Sequence, residues 1–182
     1  MLRILMILGI TLLLICCGAS KSVQEANPDL DQMIATKDLE FRAKFAHPMV
    51  TQSMSQVASS GMLPPGSNIG QIDVSSSANF LKIHGDSVSA NLSYFGERQM
   101  GGGYNNKPGI VFQGIPKDMK IVKDEKSNAY DLRFSIGDKS ETFQITTQIN
   151  PNLSSTISVA SSHRTRIRYT GTILNATDIK KE

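Results

Sequence analysis

The chain has 182 residues and a formal charge of +3, with 40% hydrophobic and 19% charged residues. That balance belongs to one folded globular domain and excludes a disordered chain. A charge this weak, with no Lys/Arg run, also excludes nucleic acid as the expected partner.

The first element is a leader. Arg3 supplies a positive start and Ile4 to Ile15 is nearly all apolar. Such a run falls short of the roughly 20 residues a spanning helix needs, so it reads as a removable export signal. The only two cysteines, Cys16 and Cys17, sit at its end. Leu14-Ile15-Cys16-Cys17 resembles a bacterial lipobox, in which Cys17 is diacylated and becomes the first mature residue. The competing cleavage uses Cys17-Gly18-Ala19 and starts the mature chain at Ser20. Either way the domain holds no cysteine pair, and adjacent cysteines are poor disulfide partners because the bridge is strained.

Residues 18–29 are small and polar and include Pro28, the composition of a flexible tether. Leu30, Met33 and Ile34 then stand at helical spacing, which predicts a short helix over Leu30–Lys37. At Phe41 the period changes to two. Phe41, Ala43 and Phe45 alternate with Arg42 and Lys44, so a strand with one buried face is expected, ended by Pro48. Thr51 to Ser67, rich in Ser, Gly and Pro, reads as a long loop with one helical turn.

Short strands follow. "NFLKIHGDSVSANLSYF" predicts a hairpin turning at Gly85-Asp86, and "GIVFQG" and "MKIVK" read as single strands. "AYDLRFSIGDKSETFQITTQI" predicts a second hairpin turning at Gly137-Asp138, and "SSTISVAS" and "HRTRIRYTGTIL" close the chain. Roughly nine or ten strands with short links favour an antiparallel meander. The fold class is therefore mainly all-β, a meander closing into a barrel-like domain or a sandwich, with a short N-terminal helix. The expected organisation is a signal peptide over 1–17, a tether over 18–29, one β domain over 30–176 and a disordered tail over 177–182.

"NLSYFGE", the glycine-rich loop, "GIVF" and "HRTRIRYTGTI" together resemble a family of small exported bacterial proteins. The family is typical of the Bacteroides group, is classed as a domain of unknown function, and has many members with lipoprotein leaders. The resemblance covers Leu39 to Leu174. It implies a shared architecture and carries no activity.

Catalytic and metal signals are weak. His47, His84 and His163 are dispersed next to turns or strand ends, without the spacing of a zinc site, so no metal and no cofactor is expected. No nucleophile elbow is present, and Asp118, Asp124, Glu125, Asp138 and Glu141 lie in turns or beside lysines, where a solvated role is expected.

Two surfaces remain. Gly101-Gly102-Gly103 lacks the Lys-Ser/Thr partner and following helix of a phosphate cradle. It is read as a loop, or as a mouth around which Tyr94, Phe95, Arg98 and Tyr104 offer stacking faces and a cation. In the last strand Arg164, Arg166 and Arg168 fall on one face, as a solvated row or as a binding row for acidic groups.

The function expected is that of a non-catalytic lipoprotein, exported and anchored through Cys17 to the bacterial envelope, or soluble in the periplasm if cleavage falls before Ser20. Its leading role is binding an apolar or amphipathic small molecule or a glycan in a barrel-like cavity near Phe41, Phe134 and Ile167. The alternative is a structural or interaction lipoprotein contacting another envelope component, with a hydrolase the weakest option.

Overall fold

The computed structural model describes residues 24–100, 108–138 and 141–176, and these form a mainly antiparallel β domain with two short helices. Helix α1 spans Pro28–Thr36. The Asn27 side chain accepts from the backbone N–H groups of Asp29 and Leu30, Pro28 takes the position where no N–H is needed, and Asp29 and Asp31 complement the helix dipole. Lys37 ends the helix in the left-handed conformation. Leu30 and Met33 are buried beneath it.

Strand β1 (Asp38–Pro48) follows, then helix α2 (Gln52–Ser59) and the short β2 (Ile72–Asp73). Residues 52–59 thus form a complete helix where a loop with one turn is expected. Thr51 makes the difference, since its hydroxyl caps the N–H of Met54, and Met54 is buried. β3 (Phe80–His84) and β4 (Ser87–Leu92) form the hairpin expected at Gly85-Asp86. β5 (Ile110–Gly114) and β6 (Lys117–Asp124) come next, followed by β7 (Ala129–Asp138), β8 (Glu141–Ile149), β9 (Ser154–Ser161) and β10 (Ile167–Asn175). The β7–β8 ladder continues through Asp138↔Glu141, so the expected turn residues Gly137 and Asp138 are themselves paired.

The sheet order is β5-β4-β3-β1-β10-β9-β8-β7-β6, with β2 beside β1. Two meanders are therefore joined through β1, which lies between β3 and β10. β5 and β6, consecutive in sequence, are the two free edges. Gly114, at φ +155, takes a backbone conformation that other residues avoid and starts the swing from one edge to the other. The sheet curls into a half-barrel. Phe112 of β5 meets Phe134 of β7 edge-on at 6.5 Å and lies tilted on Phe143 of β8 at 5.5 Å, so the first meander covers the second.

β1 departs from simple alternation. Leu39, Phe41 and Ala43 are buried, but the next buried positions are Ala46 and Pro48, not Phe45. A bulge between Ala43 and Phe45 against β10 adds one residue and reverses the phase. The two backbones come very close there. A Cβ on Gly171 would lie 1.9 Å from the Arg42 carbonyl oxygen, which only glycine avoids.

The interior is filled. Phe41, Phe134 and Ile167, expected to line a cavity, are 0%, 4% and 1% exposed and belong to one continuous core with Phe112, Phe143 and Tyr169. A void holding a small molecule would leave accessible surface on the side chains around it. These have almost none.

The N-terminal approach is attached rather than loose from Gln24 onward. Its carbonyl accepts from the Asn128 side chain, and Asn27 donates to the Pro151 carbonyl at 2.7 Å. Asp31 accepts from Lys123 at 2.8 Å and from the Tyr130 hydroxyl at 2.6 Å, which locks α1 to the β6–β7 end. Those hydrogen bonds hold the Asp31 carboxyl below its ordinary pKa. Among the described residues no helix is long and apolar enough to cross a membrane.

Candidate functional site

After β4 the chain leaves the sheet, and Glu97–Gln99 runs antiparallel to His163–Thr165. Thr165 N–H donates to the Glu97 carbonyl at 3.0 Å, Gln99 N–H donates to the His163 carbonyl at 2.7 Å, and Arg98 is bridged to Arg164. This pairing brings both arginines to the first residue of β8. Glu141 falls on the inward register of β8, which alternates buried and exposed along its whole length.

The result is a buried ionic knot. Arg164 donates from Nε to Glu141 Oε1 at 2.7 Å and from Nη2 to Oε2 at 3.0 Å, a bidentate pair. Arg98 adds a bond from Nη2 to Oε2 at 2.7 Å, and the Ser161 hydroxyl donates to Oε1. Arg164 Nη1 donates to the Gly109 carbonyl at 2.9 Å, and its guanidinium lies 5.2 Å from the Tyr94 ring centre. Glu141 and Arg164 are each only 7% exposed. Burial alone pushes the Glu141 carboxyl up, but the bonds from Arg164, Ser161 and Arg98 outweigh it and hold the group below its ordinary pKa.

Both carboxylate oxygens are each engaged by two donors. The group serves as a clamp that ties the start of β5, the 97–99 segment, β9 and the approach to β10 together. The expectation of a solvated Glu141 is thus overturned. Its signal lay in the period of two running Glu141, Phe143, Ile145, which puts the acid in phase with the core.

Of the expected mouth residues, Tyr94 and Phe95 are half-buried and pack against the core. The Tyr94 hydroxyl lies 2.8 Å from Thr165 Oγ1 and 3.0 Å from the Glu97 and Thr165 carbonyls, and burial raises its pKa. Arg98 keeps 24% of its side chain exposed but is committed to Glu141. Tyr104, with the three glycines, lies outside the described residues.

The arginine row is broken. Arg164 precedes β10 and turns inward to Glu141, while Arg166 and Arg168 are exposed. The alternation of Arg and apolar residues does not extend upstream of Ile167, because residues 163–165 pair with 97–99 rather than with β9. The histidines are separate. His47 sits between the Gly70 carbonyl and Thr170, His84 against Asp38, and His163 against Ser162. A groove of about 390 Å³ runs along the outer side of β1, β3 and β4, between Asp38, Lys82, His84, Ser89 and Gln113.

Comparison with known proteins agrees with the strand motifs. A family model described as Domain of unknown function (DUF4251) matches residues 21–173. The fold is similar to the crystal structure of a DUF4251 family protein from Bacteroides eggerthii DSM 20697. The TM-score is 0.57 at 14% identity, over 83% of this chain and 88% of that one, a likeness that carries the fold alone. Among curated proteins none matches. The match over most of the length settles the relationship: the chain belongs to the DUF4251 family.

Proposed function

We propose that the protein is a cell-envelope lipoprotein, anchored through a diacylated Cys17, whose β domain works by surface contact with another envelope component. In this reading it encloses no small molecule and performs no catalysis. The observation that carries it is the filled interior. Tyr169, Phe41 and Phe143 are among the largest fully buried side chains, and Phe112 and Phe134 close the remaining space. A carrier needs an unfilled pocket of several hundred Å³ lined by apolar groups. The space between the two meanders is occupied by the protein's own aromatic rings.

The knot supports the non-catalytic part. A general base needs a free lone pair and access to substrate, whereas Glu141 is buried and engaged at both oxygens. The lipid anchor rests on the leader pattern ending at Cys17. Attachment of the chain to the domain from Gln24 onward leaves only a short link after that cysteine, so the domain would ride close to the bilayer.

Mass spectrometry of the intact protein, purified from its own envelope, tests this. The expected spectrum starts at Cys17 with an added diacylglyceryl mass and carries no other compound. A chain starting at Ser20, or a stoichiometric retained small molecule, overturns the proposal.

A further inference from the structure

The outer face of β6 to β10 has a composition unlike the rest of the surface. Across the strands one row reads Lys120, Arg133, Thr146, Ser158, Arg168 and His47, each in register with the next. A neighbouring row pairs Lys117 with Ser135, Ser135 with Gln144, and Gln144 with Ala160. On the other side Gln148, Thr156 and Thr170 continue the pattern, the row ending in Asp131 on β7 and Val122 on β6. The middle of the face is thus a lattice of hydroxyls and amides, spaced about 4.8 Å across strands and about 7 Å along them.

Bases bracket this lattice. Lys117, Lys120 and Arg133 lie on one side and Arg168 on the other, and the first two rows contain no acid. Arg133 and Arg168 stand three strands apart, about 14 Å. Among the described residues none of these four side chains is in an ion pair or donates a side-chain hydrogen bond. Other bases of the domain are matched: Lys123 to Asp31, Lys37 to Asp86, Arg42 to Glu40. Of the exposed large apolar side chains, Met49, Val50, Val57 and Met62 lie off this face, while Val122 of β6 and Leu174 of β10 stand at its margins.

From this charge complementarity we infer that the β6–β10 outer face docks a linear anionic polysaccharide, one bearing carboxylate or sulfate groups. The inference rests on the surface-contact reading above and names its partner. Guanidinium forks match carboxylate and sulfate geometry. The Thr, Ser and Gln side chains each donate and accept, as the ring hydroxyls between the charges require. A bilayer is the poorer occupant, because the face offers only Val122 and Leu174, at opposite margins, to insert. The sheet's regular row supplies several equivalent contacts along an extended chain and no pocket for a single sugar.

The test is retention of the full-length protein, in detergent, on immobilised dextran sulfate and on immobilised polygalacturonate, with neutral dextran as blank. Wild type is expected to bind both anionic supports and to pass the blank. Arg133→Ser with Arg168→Ser should weaken binding by roughly tenfold or more. Lys44→Ser with Lys126→Ser, which removes equal charge from exposed positions elsewhere, should leave it within about twofold. Thr146→Ala with Ser158→Ala, neutral changes inside the lattice, should weaken it several-fold. All these side chains are at the surface, so melting temperatures should stay close to wild type and exclude unfolding as the cause.

Equal loss in the two charge variants would mean unspecific ion exchange and overturn the inference. So would unchanged retention, or binding only to vesicles of equal phosphatidylglycerol and phosphatidylcholine. None of these outcomes alters the mass spectrum that tests the surface-contact reading, so the two can fail separately.

Discussion

Replacing Glu141 by Ala removes the centre of the ionic knot and leaves Arg164 with its charge buried. The guanidinium would keep the Gly109 and Pro108 carbonyls, at 2.9 and 3.4 Å, and the Tyr94 ring face, and would lose its carboxylate. Removing one partner of a buried pair costs about 3–5 kcal/mol. For a domain of this size that is a fall in melting temperature of roughly 10 °C. Arg98→Ala removes one bond to the same carboxylate, but from a side chain 24% exposed that water can partly replace, so about 1 kcal/mol is expected. Thermal unfolding of both variants, followed by circular dichroism at neutral pH, measures the contrast. The acid limb supplies a second reading. Glu141 has a lowered native pKa, so its contribution is complete above the ordinary glutamate range. It shrinks as the pH falls through that range and is gone below the native value. Glu141→Gln should therefore lose least, relative to wild type, at the acid end. If Glu141→Ala costs no more than Arg98→Ala, or if Glu141→Gln keeps the wild-type acid limb, the knot does not hold the fold.

Gly171→Ala places a methyl 1.9 Å from the Arg42 carbonyl oxygen, so β1 and β10 must separate at the bulge. A loss of about 3 kcal/mol is expected, and an unchanged melting curve would mean the bulge yields freely. Thr147, 2% exposed between Leu132 and Ile157, buries a hydroxyl that has no hydrogen-bond partner. Thr147→Val should therefore raise stability by about 1 kcal/mol, read as a higher urea midpoint with an unchanged slope. Asn27→Ala removes the cap of α1 and the bond to Pro151 and should cost about 1–2 kcal/mol. Asn27→Asp keeps the cap and loses only the bond, so equal losses in the two would shift the credit from cap to tether.

What could be read from the sequence is what period two encodes locally. The hairpins β3–β4 and β7–β8 are legible because Leu81 and Ile83, or Phe134 and Ile136, alternate with polar neighbours across a short turn. Phe45 misleads for the same reason. Its size continues the rhythm of Phe41 and Ala43, while the bulge that moves Ala46 inward is imposed by Gly171 at the far end of the chain. Arg164 misleads likewise. Its spacing from Arg166 and Arg168 is that of one strand face, but its conformation is set by residues 97–99 and by a carboxylate on β8. Arg133 and Lys120 were legible in principle, since each stands between inward residues. What one strand cannot disclose is that they line up with Arg168 across four neighbours.

That alignment depends on how the sheet is joined and on its staying open. Had β5 paired with β6, the strands would have closed a barrel around the sequence-expected cavity. Pro116 denies a donor just where the two edges diverge, and β6 breaks register between Lys117 and Lys120, where Asp118 holds a left-handed φ of 54°. Exposed lysines along the same strand discourage another chain from completing it. With the edges kept apart, the first meander folds onto the second and its aromatic side chains occupy the interior. The second meander then presents its polar side outward across five strands. The filled inside and the open polar outside are thus consequences of one event, the failure of β5 and β6 to pair, which is why the proposed contact falls on a face and not in a cavity.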